Sequence, residues 1–483
     1  MAKYLFYIFS VVVLLFSLYS CEDEGYMSSS DAQLQFSVDT IAFDTIFTSI
    51  GSTTQRFTVR NPYNDPVLIS SIRLAGGEMS NFRLNISGEK SNEVYEVEVP
   101  AHDSIYIFVE VTIDPNGQNL PMVVQDSILF STNANLQDVK LIAYGQDFVL
   151  VKEEKIKNTT WTADKPYLVY GYAYVDSLST LTIQPGTRIH FHKGAGLYVK
   201  GTVVADGTFD QPIQFMSDRL EDSYKNVPDQ WNGILLFSGS HDNIFDFATI
   251  KNANIGLQVG TIEHEGFASV SISNSTIENM AYAGLFAMKS KIFAYNDVIA
   301  NCGFYAAALL VGGEYEFYHT TIANYWGNLG SKVRSTASLV ISNVLVVEGS
   351  DGSSVSYSGD LSKATFGNSI IYGNTYNEVE LGDNDENTFE YYFDHCILQV
   401  PDTLNTSNKN HYNSVLKGID YDPLFVDPYA GLNYQLDTLS AAIDAGSSMY
   451  SKIFPVDMLN KSRTSDEGPD LGAYERYSKS DED

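Results

Sequence analysis

Residues 274–279 read NSTIEN, and the phrase returns as NDVIAN at 296–301 and HTTIAN at 319–324. Its central aliphatic can be followed through Ile250, Ile277, Ile299, Ile322, Val346, Ile371 and Leu398, at steps of 27, 22, 23, 24, 25 and 27 residues. A period in the twenties with no heptad beneath it restricts the chain to a stacked-repeat architecture, because a unit of that size buries its apolar face only against its neighbours. The units are strand-like. FATIKN, SVSISNSTIEN and LVISNVLVV set β-branched and aromatic residues between Gly, Asn and Ser, without a 3.6-residue stripe.

Strands at this period, without the LxxLxLxxN of leucine-rich repeats, predict an all-β chain built as a right-handed parallel β-helix of about eleven coils, roughly 50 Å long at the strand spacing. Ile277, Ile299, Ile322 and Ile371 are then one buried column. Asn252, Asn279, Asn301 and Asn324 follow the aliphatic by two residues. At a tight corner Asn accepts the left-handed conformation, and stacked amides bond one another. The residues beside the column face outward, changing from Thr249/Lys251 and Thr276/Glu278 to Ile370/Tyr372 and Ile397/Gln399. Such an apolar outer row needs a cover or a partner. The expected cover is the 376–392 insertion with Tyr391, Tyr392 and Phe393. The alternative is a sugar-stacking platform of middle-coil aromatics, Tyr305, Tyr325 and Trp326.

LTIQPGTRIHF (181–191), LYVKGTVVADG (197–207), PIQF (212–215) and WNGILLF (231–237) resemble the opening coils of bacterial β-helix proteins of the pectate-lyase-like superfamily. YDPLFVDP (421–428), AIDAG (442–446) and DLGAYE (470–475) resemble the tail that closes such helices, with Asp457, Asn460 and Arg463 in its Asp-x-x-Gly-x-x-Arg pattern and Asn in place of Gly. The resemblance covers residues 160–475 and implies fold rather than activity, since the superfamily holds lyases, hydrolases, epimerases and binding proteins. It implies that Arg463 pairs with a carboxylate and that the tail covers the open end of the last coil.

Before the helix, QLQFSVDTIAFDTIF, RFTVRNPYNDPVLISSIRL and SIYIFVEVTI alternate as short strands with turns between them, a β-sandwich pattern. RFTVRNPYNDPVLISSIRL and the closing LIAYGQD resemble immunoglobulin-like modules of the hydin type. An apolar run from Leu5 to Leu18 ahead of Tyr-Ser-Cys resembles a lipoprotein signal that leaves Cys21 as a lipidated N-terminus. Glu22-Asp23-Glu24 is similar to the export signal of surface-exposed lipoproteins. The expected organisation is a signal peptide at 1–20, an acidic and serine tether at 21–30, an Ig-like sandwich at 31–150, the β-helix at 151–430 and a closing segment at 431–483. The lipid anchor places the chain on the outer membrane, exposed at the cell surface.

Sixty acidic against 29 basic residues give a net charge of −31, which excludes nucleic acid as a partner. It also disfavours lyases of uronic acids, which need cations around the substrate carboxylate. Lys332 and Arg334 are candidates, read as a solvated turn. Asp383, Asp385 and Glu386 are a candidate calcium site, read against an acidic loop; no other cofactor is implied. Asp246, Asp297 and Asp394 do not fall in one column of adjacent coils, and Asp297 shares inward parity with Ser275, Thr320 and Ser369, as a buried polar ladder. His319 and His395 are about 14 Å apart by the coil spacing, too far for one metal. His190 and His192 share a face without a third ligand. Cys302 and Cys396, about 19 Å apart by the same spacing, are expected to be free thiols. No catalytic constellation stands out. The leading function is a non-catalytic surface protein binding extracellular carbohydrate, or displayed toward it or toward a surface protein partner. A carbohydrate-active lyase or hydrolase is the alternative and an adhesive protein the third reading.

The anchor reading is open to direct test. Cys21→Ala is expected to abolish lipid labelling, and alanine at Glu22, Asp23 and Glu24 together to leave a lipidated protein shielded from external protease. A triple variant as protease-accessible as the parent refutes the export reading.

Overall fold

The computed structural model describes residues 25–117, 122–262, 266–327, 334–349 and 351–476; Cys21, the acidic triplet after it and Lys332 lie outside them. The chain divides into two compact units, one ending at Asp147 and one beginning at Phe148.

The first unit is a β-sandwich. One sheet runs Gln35–Phe36, Gln55–Arg60, Ser104–Val111, Phe82–Ile86, Glu89–Lys90 in antiparallel order. The other runs Thr40–Phe47, Asn135–Gln146, Met122–Thr132, Val67–Leu74, Glu93–Val99, antiparallel except for the first pair. The period-2 alternation turns Phe57, Val59, Ile107 and Val109 of one sheet toward Ile69, Ile72, Ile128 and Leu141 of the other, in one buried core.

The second unit is the parallel β-helix. Each coil contributes to three columns of parallel strands. In the first column, eleven segments stack in the described chain, at 149–152, 167–169, 188–191, 213–217, 248–251, 276–280, 298–302, 321–324, 370–373, 397–398 and 416–417. Their register aligns Ile189, Phe215, Ile250, Ile277, Ile299, Ile322, Ile371 and Leu398, so the four isoleucines form the expected buried column. Inside the third column Phe317, Phe366, Phe393 and Tyr412 stack with centroids 5.1, 5.0 and 5.9 Å apart, close to the strand spacing.

Val346 does not belong to this column. It sits 55% exposed in a hairpin formed by Val344–Glu348 and Ser354–Ser358, and Ile322 pairs directly with Ile371. One coil is therefore 49 residues long, the sum of the two steps of 24 and 25 read from the sequence. The hairpin mimicked a repeat because it inserts nearly one period.

The corners follow the expected chemistry with one exception. Asn252, Asn279 and Asn301 adopt φ of 66°, 62° and 51°, and their amides ladder, Asn279 Nδ2 donating to Asn252 Oδ1 at 2.6 Å and Asn301 Nδ2 to Asn279 Oδ1 at 2.9 Å. Asn324 leaves the ladder and points inward, donating to Cys302 O and accepting from Cys302 N. A second ladder lies at the opposite end of the strand, where Asn296 donates to Asn274 and Asn274 to Asp246. Cys302 and Cys396 are free and buried, and burial pushes both thiols up to about 12.

The outer row of the first column has a cover other than the expected one. Val298, Ala300, Ala323, Tyr325, Ile370, Tyr372 and Ile397 are buried with Phe425, Tyr434, Leu436, Ala442, Leu471 and Ala473 of the C-terminal segment. Phe393 instead stacks inside the helix, and Tyr391 packs on His411 at 4.1 Å. Arg463 makes the carboxylate pair expected of it, with Nη1 donating to Glu475 Oε2 at 3.0 Å and neither side chain exposed. The segment lies along the flank of the stack rather than across its open end. Arg463 Nη2 donates to Asn296 Oδ1 at 3.0 Å, Ala473 N to Thr321 Oγ1 at 3.0 Å, and Gly472 N to Asn368 O at 2.8 Å. Asp457 accepts the N–H groups of Leu459, Lys461 and Glu475. The β-sheet flank is apolar over these coils, and burying it outweighs capping one strand edge.

Burial raises Asp470 to about 7 and Glu475 to about 8, and the nearby Asp444 and Asp466 raise Asp470 further. Arg463 pulls Glu475 back only in part. Both acids keep a proton to higher pH in the folded chain than in the unfolded one. Their contribution is full below the ordinary carboxylate range and lost as pH rises through about 7 to 8. Melting temperature is therefore expected to fall between pH 6 and pH 9. Arg463→Met is expected to destabilise by about 3–5 kcal/mol, more at the alkaline end, by denaturant titration. A variant as stable as the parent at both pH values contradicts the latch.

Candidate ligand-binding groove

At the corner after the first column, the ladder of Asn279 and Asn301 opens into a groove of about 360 Å³, closed by Asn226 and Pro228 on one side and by Tyr429, Ala430 and Leu432 on the other. Tyr325 and Trp326 line it together. The ladder continues at its far end through Asn252, which donates to Lys225 O and so ties down the loop carrying Asn226. At its near end Asn301 Oδ1 accepts no donor among the described residues, leaving an amide oxygen toward the groove.

Tyr325 is 8% exposed and meets Phe425 and Tyr429 edge-on at 6.1 and 5.0 Å; burial drives its phenol well above the ordinary range. It is packing first and groove wall second. Trp326 is half-buried, its N–H accepted by Asn324 Oδ1 and its carbonyl held by Asn374 Nδ2 at 3.0 Å. Tyr429 is 40% exposed, fixed by a turn in which Asp427 accepts the N–H groups of Ala430 and Gly431. Tyr429 was not among the sequence candidates, although DPYAG carries the turn chemistry that presents it. Tyr305 does not line the groove. It lies on the outer face of the second column, beside Tyr282 at 6.0 Å, in an apolar cluster that Leu345 and Tyr357 of the hairpin cover.

The three acids singled out in the sequence are committed to structure. Asp246 accepts Ser273 Oγ and Asn274 Nδ2, both at 2.8 Å. Asp394 accepts Tyr450 Oη at 2.7 Å and Asn413 Nδ2 at 2.8 Å and sits beside His395 Nδ1 at 2.7 Å. Asp246 and Asp394 occupy one row of the third column, five register steps apart through Ser273, Tyr295, Tyr318 and Gly367. That is about 24 Å, against the ~10 Å upper range of paired glycosidase carboxylates. Asp297 is fully buried in the inward ladder, accepting Ser275 N at 2.8 Å, as Ser369 Oγ accepts Thr320 N. Its Oδ2 has no partner among the described residues, and burial holds the carboxyl well above its usual range.

Arg334 is not a solvated turn. It is fully buried, donating through Nη2 to both oxygens of Glu378 at 2.7 and 2.8 Å and to Asn324 O at 2.8 Å, while Glu378 also takes Ser338 N and Oγ. It therefore offers no free cation to an anionic substrate. Asp383 Oδ1 accepts Asn343 Nδ2 and Asp385 N, and Glu386 N donates to Asn384 Oδ1, a self-bonded loop. Among the described residues no group of three His, Cys, Asp or Glu is arranged to hold a metal ion. Burial lowers His190 to about 4 despite its hydrogen bond with Ser217 O, whereas His192 pairs with Asp218 at 2.7 Å and stacks on Tyr170 at 4.2 Å. His319 is buried with Nε2 beside Asn368 Nδ2.

No protein-family model matches the chain, and no curated protein matches it in sequence. Among solved structures, a family 123 glycoside hydrolase from Clostridium perfringens aligns at 8% identity and a TM-score of 0.17, over 23% of this chain and 25% of that one. PapD-like domain 7 of human CEP192 aligns at 10% identity and 0.17, over 27% of this chain and 96% of that domain. The catalytic domain of a GH87 alpha-1,3-glucanase in complex with nigerose aligns at 9% identity and 0.19, over 76% and 89%. Likenesses at these scores carry no argument about activity, and the fold rests on the strand register described above.

The buried acid of the polar ladder gives a clean test of that assignment. Asp297→Asn, a neutral isostere, is expected to be more stable than the parent at pH 8 by at least about 1 kcal/mol, one pKa unit being about 1.4 kcal/mol. The gap should narrow as pH falls and close below about pH 3, where the parent's carboxyl is protonated in both states. Equal stability at pH 8 means the carboxylate is ionised and otherwise compensated.

Proposed function

We propose that the protein is an outer-membrane lipoprotein, acylated at Cys21 and exposed at the cell surface, whose β-helix binds a neutral glycan without cleaving it. The observation that carries this reading is the groove itself. Trp326 and Tyr429 offer flat apolar rings, Asn226, Asn279 and Asn301 offer amides, and no carboxylate or cation of the described chain lines it. Sugar rings present just those two surfaces, apolar C–H faces and hydroxyl edges that both donate and accept, so rings flanked by amides suit them. The three acids the sequence singled out do not form such a pair as a hydrolase requires, Asp297 being buried in a ladder and Asp246 and Asp394 lying about 24 Å apart, and none of them lines this groove, which supports binding over cleavage there. Through its resemblance to hydin-type modules, the sandwich acts as a spacer between the anchor and the β-helix.

Binding to immobilised neutral glucan and xylan oligosaccharides tests the groove. Trp326→Ala and Tyr429→Ala are each expected to weaken binding about tenfold, equivalent to about 1.4 kcal/mol, with melting unchanged. Reducing sugar released from any bound glycan, or variants that bind as the parent does, would overturn the reading.

A further inference from the structure

The β-sandwich carries a groove of about 940 Å³ on the outer face of the sheet built from Gln55–Arg60, Ser104–Val111, Phe82–Ile86 and Glu89–Lys90. Its floor follows from the strand register. Arg56 pairs with Phe108, Phe108 with Asn85, and Asn85 with Lys90, so these four residues form one row across four strands. A cation stands at each end of this row, about 14 Å apart at the strand spacing, with an aromatic ring and an amide between them. Arg83 pairs with Glu110 in the neighbouring row.

The composition makes this row unusual. The described residues of the unit carry fifteen carboxylates and six cations, the latter Arg56, Arg60, Arg73, Arg83, Lys90 and Lys140. Three of the six line this one groove. None of those three has a carboxylate partner among the described residues. Arg83 is held instead by the carbonyls of Ser80 and Phe82, and Arg56 lies over the ring of Tyr106 at 5.9 Å. Two acids also line the groove, Glu78 and Glu110, and Glu110 accepts a 2.6 Å hydrogen bond from Thr54 Oγ1. The two arginines are thus held in place, and the groove carries three cations against two carboxylates, an excess of positive charge in a unit where acids outnumber bases.

We propose that this groove binds an acidic glycan, its sugar rings resting on Phe108 and its carboxylates held by Arg56, Arg83 and Lys90. The net charge of −31 opposes polyanions at long range, but at physiological salt the Debye length of about 8 Å screens remote carboxylates, and contact charges decide. The lining amides and hydroxyls of Asn85, Ser91, Asn92 and Thr54 fit a hydroxyl-rich chain. This site is independent of the neutral-glycan groove of the β-helix.

The test uses the full chain with polygalacturonate, neutral dextran and polyglutamate at 0.15 M salt. Polygalacturonate is expected to bind, dextran and polyglutamate at least tenfold more weakly. The triple variant Arg56→Gln, Arg83→Gln, Lys90→Gln changes three exposed side chains and is expected to keep the parent melting temperature while losing polygalacturonate at least tenfold. Phe108→Leu is expected to weaken it severalfold, and Trp326→Ala to leave it unchanged, which separates failure here from failure of the β-helix groove. Absence of binding, a triple variant that binds as the parent, a Phe108→Leu variant without effect, or polyglutamate binding as tightly as polygalacturonate would overturn the proposal.

Discussion

Everything in the second unit depends on parallel strand pairing between coils one above another. A single coil cannot satisfy its own backbone N–H and C=O groups; each strand borrows its partners from the coils before and after it. Register must then be held at every corner, since a slip of one residue would exchange the inward and outward rows. The asparagine ladders supply that restraint. Their left-handed backbone fixes where the chain leaves the strand, and their amides bond at the same vertical spacing as the strands. The inward isoleucines and the phenylalanine stack fill the space the corners define.

Residues with a repeated local cause were legible in the sequence. The column from Ile250 to Ile322 and the corner asparagines could be read because each coil solves the same problem with the same residue types. Val346 misled because a β-hairpin of nearly one period keeps the alternation of a strand while pairing only with itself. Asn324 misled because the step to the next coil there is 49 residues, and its amide turns inward to serve Cys302. Arg334 looked like a surface turn, since nothing local announces that Glu378, 44 residues later, closes over it. Trp326 and Tyr325 were visible as aromatics, but their partner Tyr429 arrives from a segment about a hundred residues away. Pairings at such separation leave no periodic trace.

The C-terminal segment shows how an outer face and a groove arise together. The first column turns outward-facing Thr and Lys in its early coils into Val298, Ala300, Ile370 and Ile397 in its later ones, an apolar strip that must be covered. The chain returns over it, and Arg463 anchors the return by linking Glu475 to Asn296 of a coil 167 residues earlier. A buried ion pair of this kind adds little net stability, because desolvation offsets its attraction, but it punishes any other placement of the segment. The groove at Trp326 is the seam left where this cover ends, with the amide ladder on one side and the turn of Tyr429 on the other.

The placement of acids bears on what the β-helix can do. In the described coils Asp246, Asp297, Asp394 and Glu378 each accept hydrogen bonds from a neighbouring coil, which makes them part of the restraint on register. A catalytic pair built from these four would have to be withdrawn from that service and brought to one outer face within about 10 Å. Amides meet the demands of register and of ligand at once, because an asparagine that bonds its neighbour along the ladder still has a lone pair to present at the ladder's end. Asn301 is in that position. A β-helix whose corners are asparagines thereby leaves an amide acceptor open at the end of a ladder while these four carboxylates keep the coils in step.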